Sequence, residues 1–213
     1  MSRAPSACDN WSVYNPPAFA QDEDASWAIV ERAGAATLVA ATPSGLSSVL
    51  VPVVVENRER LYAHVARANP WWREVESGGE VLALFLVADA YVSPSYYPSK
   101  AEQPAVVPTW NYVLAEVHGT LRVHDDAAWV ESQARALVDR FEAGRDPRWR
   151  ADDAPAGYLA KMVRGIVGLE IEVTSIEGKA KLSQNRDARD VVGVREALAR
   201  GRADERALAE EME

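Results

Sequence analysis

Short stretches rich in Val, Leu, Ala and Thr recur along this chain of 213 residues, each closed by a turn signal, and that rhythm limits the fold more than any other feature. They cover residues 36–41, 49–56, 61–66, 81–87, 111–118, 121–124 and 168–173. Thr42-Pro-Ser-Gly45 and Glu76-Ser-Gly-Gly79 supply turn chemistry between them. Strands this short, in succession, imply a small antiparallel barrel. Helical patterns interrupt them. Asp24 or Ser26 can cap a helix through Trp27, Val30 and Ala33 that ends at Gly34. A longer helix, capped near Asp125 or Asp126, gathers Trp129, Val130, Ala134, Leu137, Val138 and Phe141 on one side. A third is expected over 155–164. The expectation is a mainly β, α+β fold: a disordered leader at 1–12, a barrel domain with helical insertions at 13–190, and a polar helix or frayed tail at 191–213.

Composition narrows the function classes. A formal charge of −9 argues against direct DNA binding, because neutralising phosphates needs a basic face. Arginines do cluster between Arg186 and Arg206, but Asp and Glu interleave with them at helical spacing, the pattern of a solvated, salt-bridged face. No apolar run approaches the ~18 residues of a membrane span. The first ten residues lack the apolar stretch of a signal peptide, so the cytoplasm is the expected compartment. Cys8 is the lone cysteine, which rules out an internal disulfide or a cysteine-rich metal site. No GxSxG, P-loop or GxGxxG pattern occurs, and His64, His118 and His124 show no zinc-ligand spacing.

Three segments carry the chemistry. Tyr91-Val-Ser-Pro-Ser-Tyr-Tyr-Pro-Ser-Lys100, followed by Val107-Pro-Thr-Trp-Asn-Tyr112, holds hydroxyls and aromatic rings between prolines, which favours extended backbone over helix. Rigid rings and hydroxyls beside a sheet suit a flat, polar-edged ligand; the same rings also suit an aromatic core or a dimer interface. His64-Val-Ala-Arg-Ala-Asn-Pro70 closes a strand with an imidazole and enters a helix near Trp71 beside Arg67, an arrangement suited to a metal or an anion, or to structural hydrogen bonds alone. Gly178-Lys-Ala-Lys-Leu-Ser-Gln-Asn-Arg186 is rich in donors and reads as a phosphate or carboxylate cradle.

Together with Val13-Tyr-Asn-Pro-Pro-Ala-Phe19, these blocks resemble, in order, the PaiB-type FMN-binding negative transcriptional regulators. The resemblance implies an FMN-binding split barrel that works as a homodimer with cofactor sites near the subunit interface. It places His64, Arg67, Asn69, Ser95, Tyr96, Trp110, Lys181, Ser183 and Gln184 around the cofactor. Two positions depart from the family. Val49-Leu-Val-Pro52 stands where relatives carry a Thr-His-Leu-Pro-like segment, and Ala180 replaces an aromatic between the lysines. An aliphatic strand suits an apolar macrocycle, which brings in haem (heme) and the similar piperazate synthases, which close an N–N bond in N5-hydroxyornithine. That kind of enzyme is the leading expectation, with His64 as iron ligand, Arg67 and Lys181 clamping an amino acid carboxylate, and Tyr96 beside them. FMN binding without catalysis is the alternative.

Overall fold

The computed structural model describes residues 14–213, so the expected leader, Cys8 and Val13 lie outside the described residues. In chain order the elements are β1 (Ala20–Gln21), α1 (Glu23–Ala33), β2 (Ala35–Thr42), β3 (Gly45–Pro52), β4 (Val54–Glu56), β5 (Arg60–Ala66), α2 (Trp71–Glu74), β6 (Glu80–Val92), β7 (Thr109–His124), α3 (Ala127–Phe141), α4 (Tyr158–Val163), β8 (Ile166–Lys181), α5 (Ala188–Ala199) and α6 (Ala203–Glu210). The strands are hydrogen-bonded in the order β3-β2-β6-β7-β8-β5-β4, with β1 added to β8. Two compact units divide the chain. The larger holds Glu23–Val87 and Leu114–Ile176, the smaller the described residues up to Asp22 with Ala88–Val113 and Glu177–Glu213. Strands β6, β7 and β8 each pass from one unit into the other.

In the larger unit most of the expected elements form, but α1 starts at Glu23, which puts the expected caps Asp24 and Ser26 inside the helix, and the stretch expected at 49–56 is divided between β3 and β4. Helix α1 opens on Glu23 and Asp24, whose charges favour a helix N-terminus, and stops at Gly34, where φ is +65°. Its Trp27, Ile29 and Val30 are buried. Strands β2 and β3 form a hairpin with Thr42 opposite Gly45, and the Thr42 hydroxyl donates to the Gly45 carbonyl at 2.8 Å. Helix α3 starts at Asp126, whose carboxylate accepts from the Trp129 N–H at 2.8 Å.

The two segments expected at 111–118 and 121–124 are one strand, β7. Gly119 does not end it. A Cβ there would lie 2.5 Å from the Glu172 carbonyl oxygen and 2.5 Å from Ile171 Cγ2, so the glycine lets β8 approach closely instead. Gly168 works the same way under α3: a Cβ would lie 2.2 Å from Trp129 Cζ3. Trp129 fills that space with its ring 5.7 Å from Tyr62, edge-on, and stacked 3.9 Å from His124.

Residues 191–213, expected as a polar helix or frayed tail, are largely helical and fall in two packed helices, α5 and α6. Val194, Leu198 and Leu208 have no solvent-exposed surface, and α5 begins before residue 190, with Asp190 itself buried. Among the described residues, no helix is long and apolar enough to cross a membrane. Placing a methyl at position 168 must displace the Trp129 ring, and Gly168→Ala is expected to lower stability by about 1–3 kcal/mol, measured by urea denaturation.

Candidate functional site

The expected site residues fall into both units. His64, Arg67 and Asn69 lie in the larger one; Ser95, Tyr96, Trp110, Lys181, Ser183 and Gln184 lie in the smaller.

In the larger unit, β5 sets His64 opposite Gly168 of β8. The imidazole is half-buried, its Nδ1 is buried without a hydrogen-bond partner, and burial holds its pKa below the usual histidine value, so the ring is neutral near pH 7. Around it runs a bonded network. Tyr62 donates to Glu56 at 2.5 Å, and burial, then that bond, pushes the phenol up to about 12. His124 Nε2 lies 2.7 Å from Glu170, which also pairs with Arg60 at 3.2 Å. Arg67 donates from Nε to the Arg164 carbonyl at 2.8 Å and from Nη2 to the Ile166 carbonyl at 3.2 Å, and it forms an ion pair with Asp125. The Asn69 side-chain oxygen accepts from the Trp71 N–H at 3.0 Å. Helix α2 is only four residues long, and its first N–H is therefore taken. Arg67 and Asn69 hold the turn after β5 to the chain's own backbone.

The smaller unit is built around the loop after β6. Prolines lead this segment into two 3₁₀ turns, Pro94–Tyr96 and Pro98–Ala101, rather than extended backbone, because each proline opens a turn at a position needing no N–H. The Ser93 hydroxyl caps the first by accepting from the Ser95 N–H at 3.2 Å. The second is held from 91 residues away: Asp190 accepts from the Ser99 N–H at 3.0 Å and from the Ser99 hydroxyl at 2.6 Å. Asp190 and Ser99 are both buried. Gly193, one turn along α5, lets the helix touch the loop, since a Cβ there would lie 2.5 Å from the Tyr96 carbonyl and 2.6 Å from Pro98 Cδ. Ser95, Tyr96, Tyr97 and Pro98 face Gly193, Glu196, Ala197 and Arg200 across a cleft of about 550 Å³.

Beside this loop, Trp110 and Tyr91 are exposed to 49% and 43%, enough to meet a ligand. Their rings lie edge to face at 6.2 Å, and Trp110 Nε1 donates to Asp89 at 2.7 Å. The cradle residues are mostly occupied. Lys181 donates to the Thr109 hydroxyl and to the Trp110 carbonyl at 2.8 Å. Lys179 donates to the Tyr14 carbonyl at 2.7 Å, with its ammonium 5.7 Å from the Tyr14 ring and 5.6 Å from that of Tyr112. Gln184 accepts from the Leu182 N–H at 2.7 Å and donates to the Ala180 carbonyl, closing the turn in which Ser183 has φ +66°. Ser183 is buried and accepts from Asn111 Nδ2 at 2.9 Å, while Asn111 Oδ1 and the Tyr97 hydroxyl are buried without partners. Exposed aromatic faces, unpartnered buried polar atoms and a basic loop fit a flat heterocycle carrying an anionic tail.

A strand-dominated α+β fold of this topology is that of the split barrels. It is similar to the flavocytochrome Anf3 from Azotobacter vinelandii (TM-score 0.58, 15% identity, covering 81% of this chain and 74% of that one). It is also similar to the FAD and heme binding protein from Mycobacterium smegmatis (TM-score 0.57, 18% identity, 86% and 80%). The family described as "Putative FMN-binding domain" matches residues 13–175, and this chain belongs to that PaiB-type FMN-binding family. Among its relatives is the protease synthase and sporulation protein PAI 2 of Bacillus subtilis (strain 168), 29% identical over 175 residues that cover 81% of this chain and 82% of the relative.

Asp190 and Gly193 are the residues that sequence reasoning missed. No local pattern marks them, because their partners lie at the far end of the chain. Removing the carboxylate in Asp190→Ala strands both Ser99 donors, and a loss of roughly 1–3 kcal/mol for each is expected in chemical denaturation. Burial pushes the Asp190 carboxyl up, but the Ser99 hydrogen bonds and the charges of Arg189 and Arg186 outweigh it, holding the pKa below the usual aspartate value. The stability it contributes is therefore complete above that value and is lost as pH falls through the lower folded pKa. Asp190→Asn should flatten that part of the acid stability curve.

Proposed function

We propose that this chain is a flavin-binding protein of the PaiB kind, with FMN as its cofactor and with no catalysis required of it. The observation that carries the reading is family membership across residues 13–175, joined to an aromatic face in the smaller unit, Trp110 with Tyr91, left open to a planar ligand. When bound, FMN supplies a redox-active isoalloxazine ring. Trp110 would stack on or edge against that ring, held in place by Asp89. The protein is a homodimer in this reading. Leu46, Leu50 and Leu86 of the larger unit are exposed to 82%, 72% and 54%, and the strand pairing sets Thr37 between Leu50 and Leu84 in one outward row, surface that soluble monomers seldom leave open. Regulation, if this chain takes part in it, acts through a bound partner rather than direct DNA contact, given the charge of −9.

Titrating FMN into the purified protein should quench tryptophan fluorescence at one flavin per chain and give a yellow species absorbing near about 450 nm. Trp110→Ala should lose most of the quenching. Absence of any bound flavin at micromolar concentration would defeat the reading.

A second reading is favoured by one observation, the neutral His64 whose Nδ1 is buried without a partner. An unprotonated imidazole suits an iron ligand, as in a haem enzyme of the piperazate synthase kind acting on a hydroxylated amino acid. Reconstitution with haem should then produce a Soret band that His64→Ala abolishes. A protein that takes up no haem, or a band unchanged in the variant, removes this reading.

A further inference from the structure

We infer that Arg186 is the residue that makes this chain prefer a phosphorylated flavin over an unphosphorylated one; the inference rests on the flavin-binding reading above. Within the Gly178–Arg186 segment the two lysines are committed to the chain itself, Lys179 to the Tyr14 carbonyl and Lys181 to Thr109 and the Trp110 carbonyl. Arg186 differs. Its guanidinium lies over the Tyr97 ring at 5.0 Å, and among the described residues no carboxylate or carbonyl accepts from its N–H groups. Stacking of this kind fixes the plane of a guanidinium while leaving its edge free, and that edge is the fork that matches two oxygens of a phosphate monoester.

The platform beneath it is rigid. Tyr97 is buried to 3% exposure between the two 3₁₀ turns, which Asp190 fastens through Ser99 and which Gly193 allows α5 to touch. Arg186 is close enough to Asp190 to act on its charge, yet the hydrogen bonds that Asp190 accepts come from Ser99. The Arg186 N–H donates to the Ser183 carbonyl at 2.9 Å, and the Ser183 hydroxyl accepts from Asn111, the residue after Trp110. A pre-oriented cation in that turn carries the chemistry for the tail of FMN, and riboflavin, which has no phosphate, would gain nothing from it. Neighbouring arginines are not equivalent. Arg189 is held by both oxygens of Glu102 at 2.9 and 2.8 Å.

The experiment is a fluorescence titration of FMN and of riboflavin into wild-type protein, Arg186→Gln, Arg186→Lys and, as a charge control on α5, Arg195→Gln. The wild type should bind FMN more tightly than riboflavin. Arg186→Gln should lose about tenfold to a hundredfold in FMN affinity with riboflavin unchanged, the range of one charge-assisted contact. Arg186→Lys should recover part of the loss, and Arg195→Gln should change neither. Equal FMN affinity in wild type and Arg186→Gln would overturn the assignment. So would an equal loss of both flavins in Arg186→Gln, the sign of a merely structural role, or the same FMN loss in Arg195→Gln. Wild-type protein that binds neither flavin would overturn the flavin-binding reading itself, and the assignment with it.

Discussion

A carboxylate buried as deeply as that of Asp190 must be satisfied within the protein, because an unpaired ion in that setting would cost several kcal/mol. Ser99 supplies both partners, one from its backbone and one from its hydroxyl. That requirement joins α5 to the proline-rich loop across 91 residues of sequence and makes the smaller unit a unit. Everything that lines its cleft follows. The loop can turn tightly because Pro94 and Pro98 open 3₁₀ turns, Gly193 can approach because it has no side chain, and Tyr97 is buried because the two sides close over it. The aromatic face and the basic turn are presented by a scaffold that this one polar contact holds in register.

The larger unit solves a different problem, how to cover a sheet face that carries polar residues. Tyr62 and His124 pack against the Trp129 ring, which fits there only because Gly168, opposite His64, leaves room for it. Hydrogen bonds then absorb most of the polarity: Tyr62 meets Glu56, and His124 and Arg60 meet Glu170. His64 is the exception. Its unpartnered nitrogen is an uncompensated cost in a region where its neighbours are satisfied, and such a residue is where a ligand or a bound water finds a place.

Hydrophobic period and turn chemistry made the architecture legible from sequence. Helix α3 begins at its acidic cap, α1 starts just ahead of the expected Asp24, and the β2–β3 hairpin turns at Thr42–Gly45. Failures came where one residue has two physical uses. Gly119 reads as a strand end and serves as a close approach; Pro94 and Pro98 read as helix breakers and serve as openers of 3₁₀ turns. The C-terminal segment reads as a polar helix or frayed tail, and Val194, Leu198 and Leu208 show which reading holds by burying a narrow apolar stripe. The ordered motifs identified the family correctly. They could not assign roles, because whether a lysine is available to a ligand depends on which carbonyl lies next to it in space.

That dependence governs how the donor-rich loop is to be understood. A count of cations in Gly178–Arg186 suggests three ligands for one anion, but Lys179 and Lys181 each cross to a carbonyl of another segment and so tie the end of β8 to residues 14 and 109–110. Gln184 and Ser183 close the turn between them and Arg186. The polar residues therefore have separate roles. Most shape the loop, and the shaping leaves Arg186 over the Tyr97 ring. The absence of an aromatic at position 180 fits this division, since Ala180 is buried and its carbonyl is the acceptor for Gln184. The backbone of that residue has a role in the turn that no side chain is needed to perform. Specificity for an anion in such a loop comes from the donor that the fold leaves without an internal partner, and the donors around it matter through the geometry they impose.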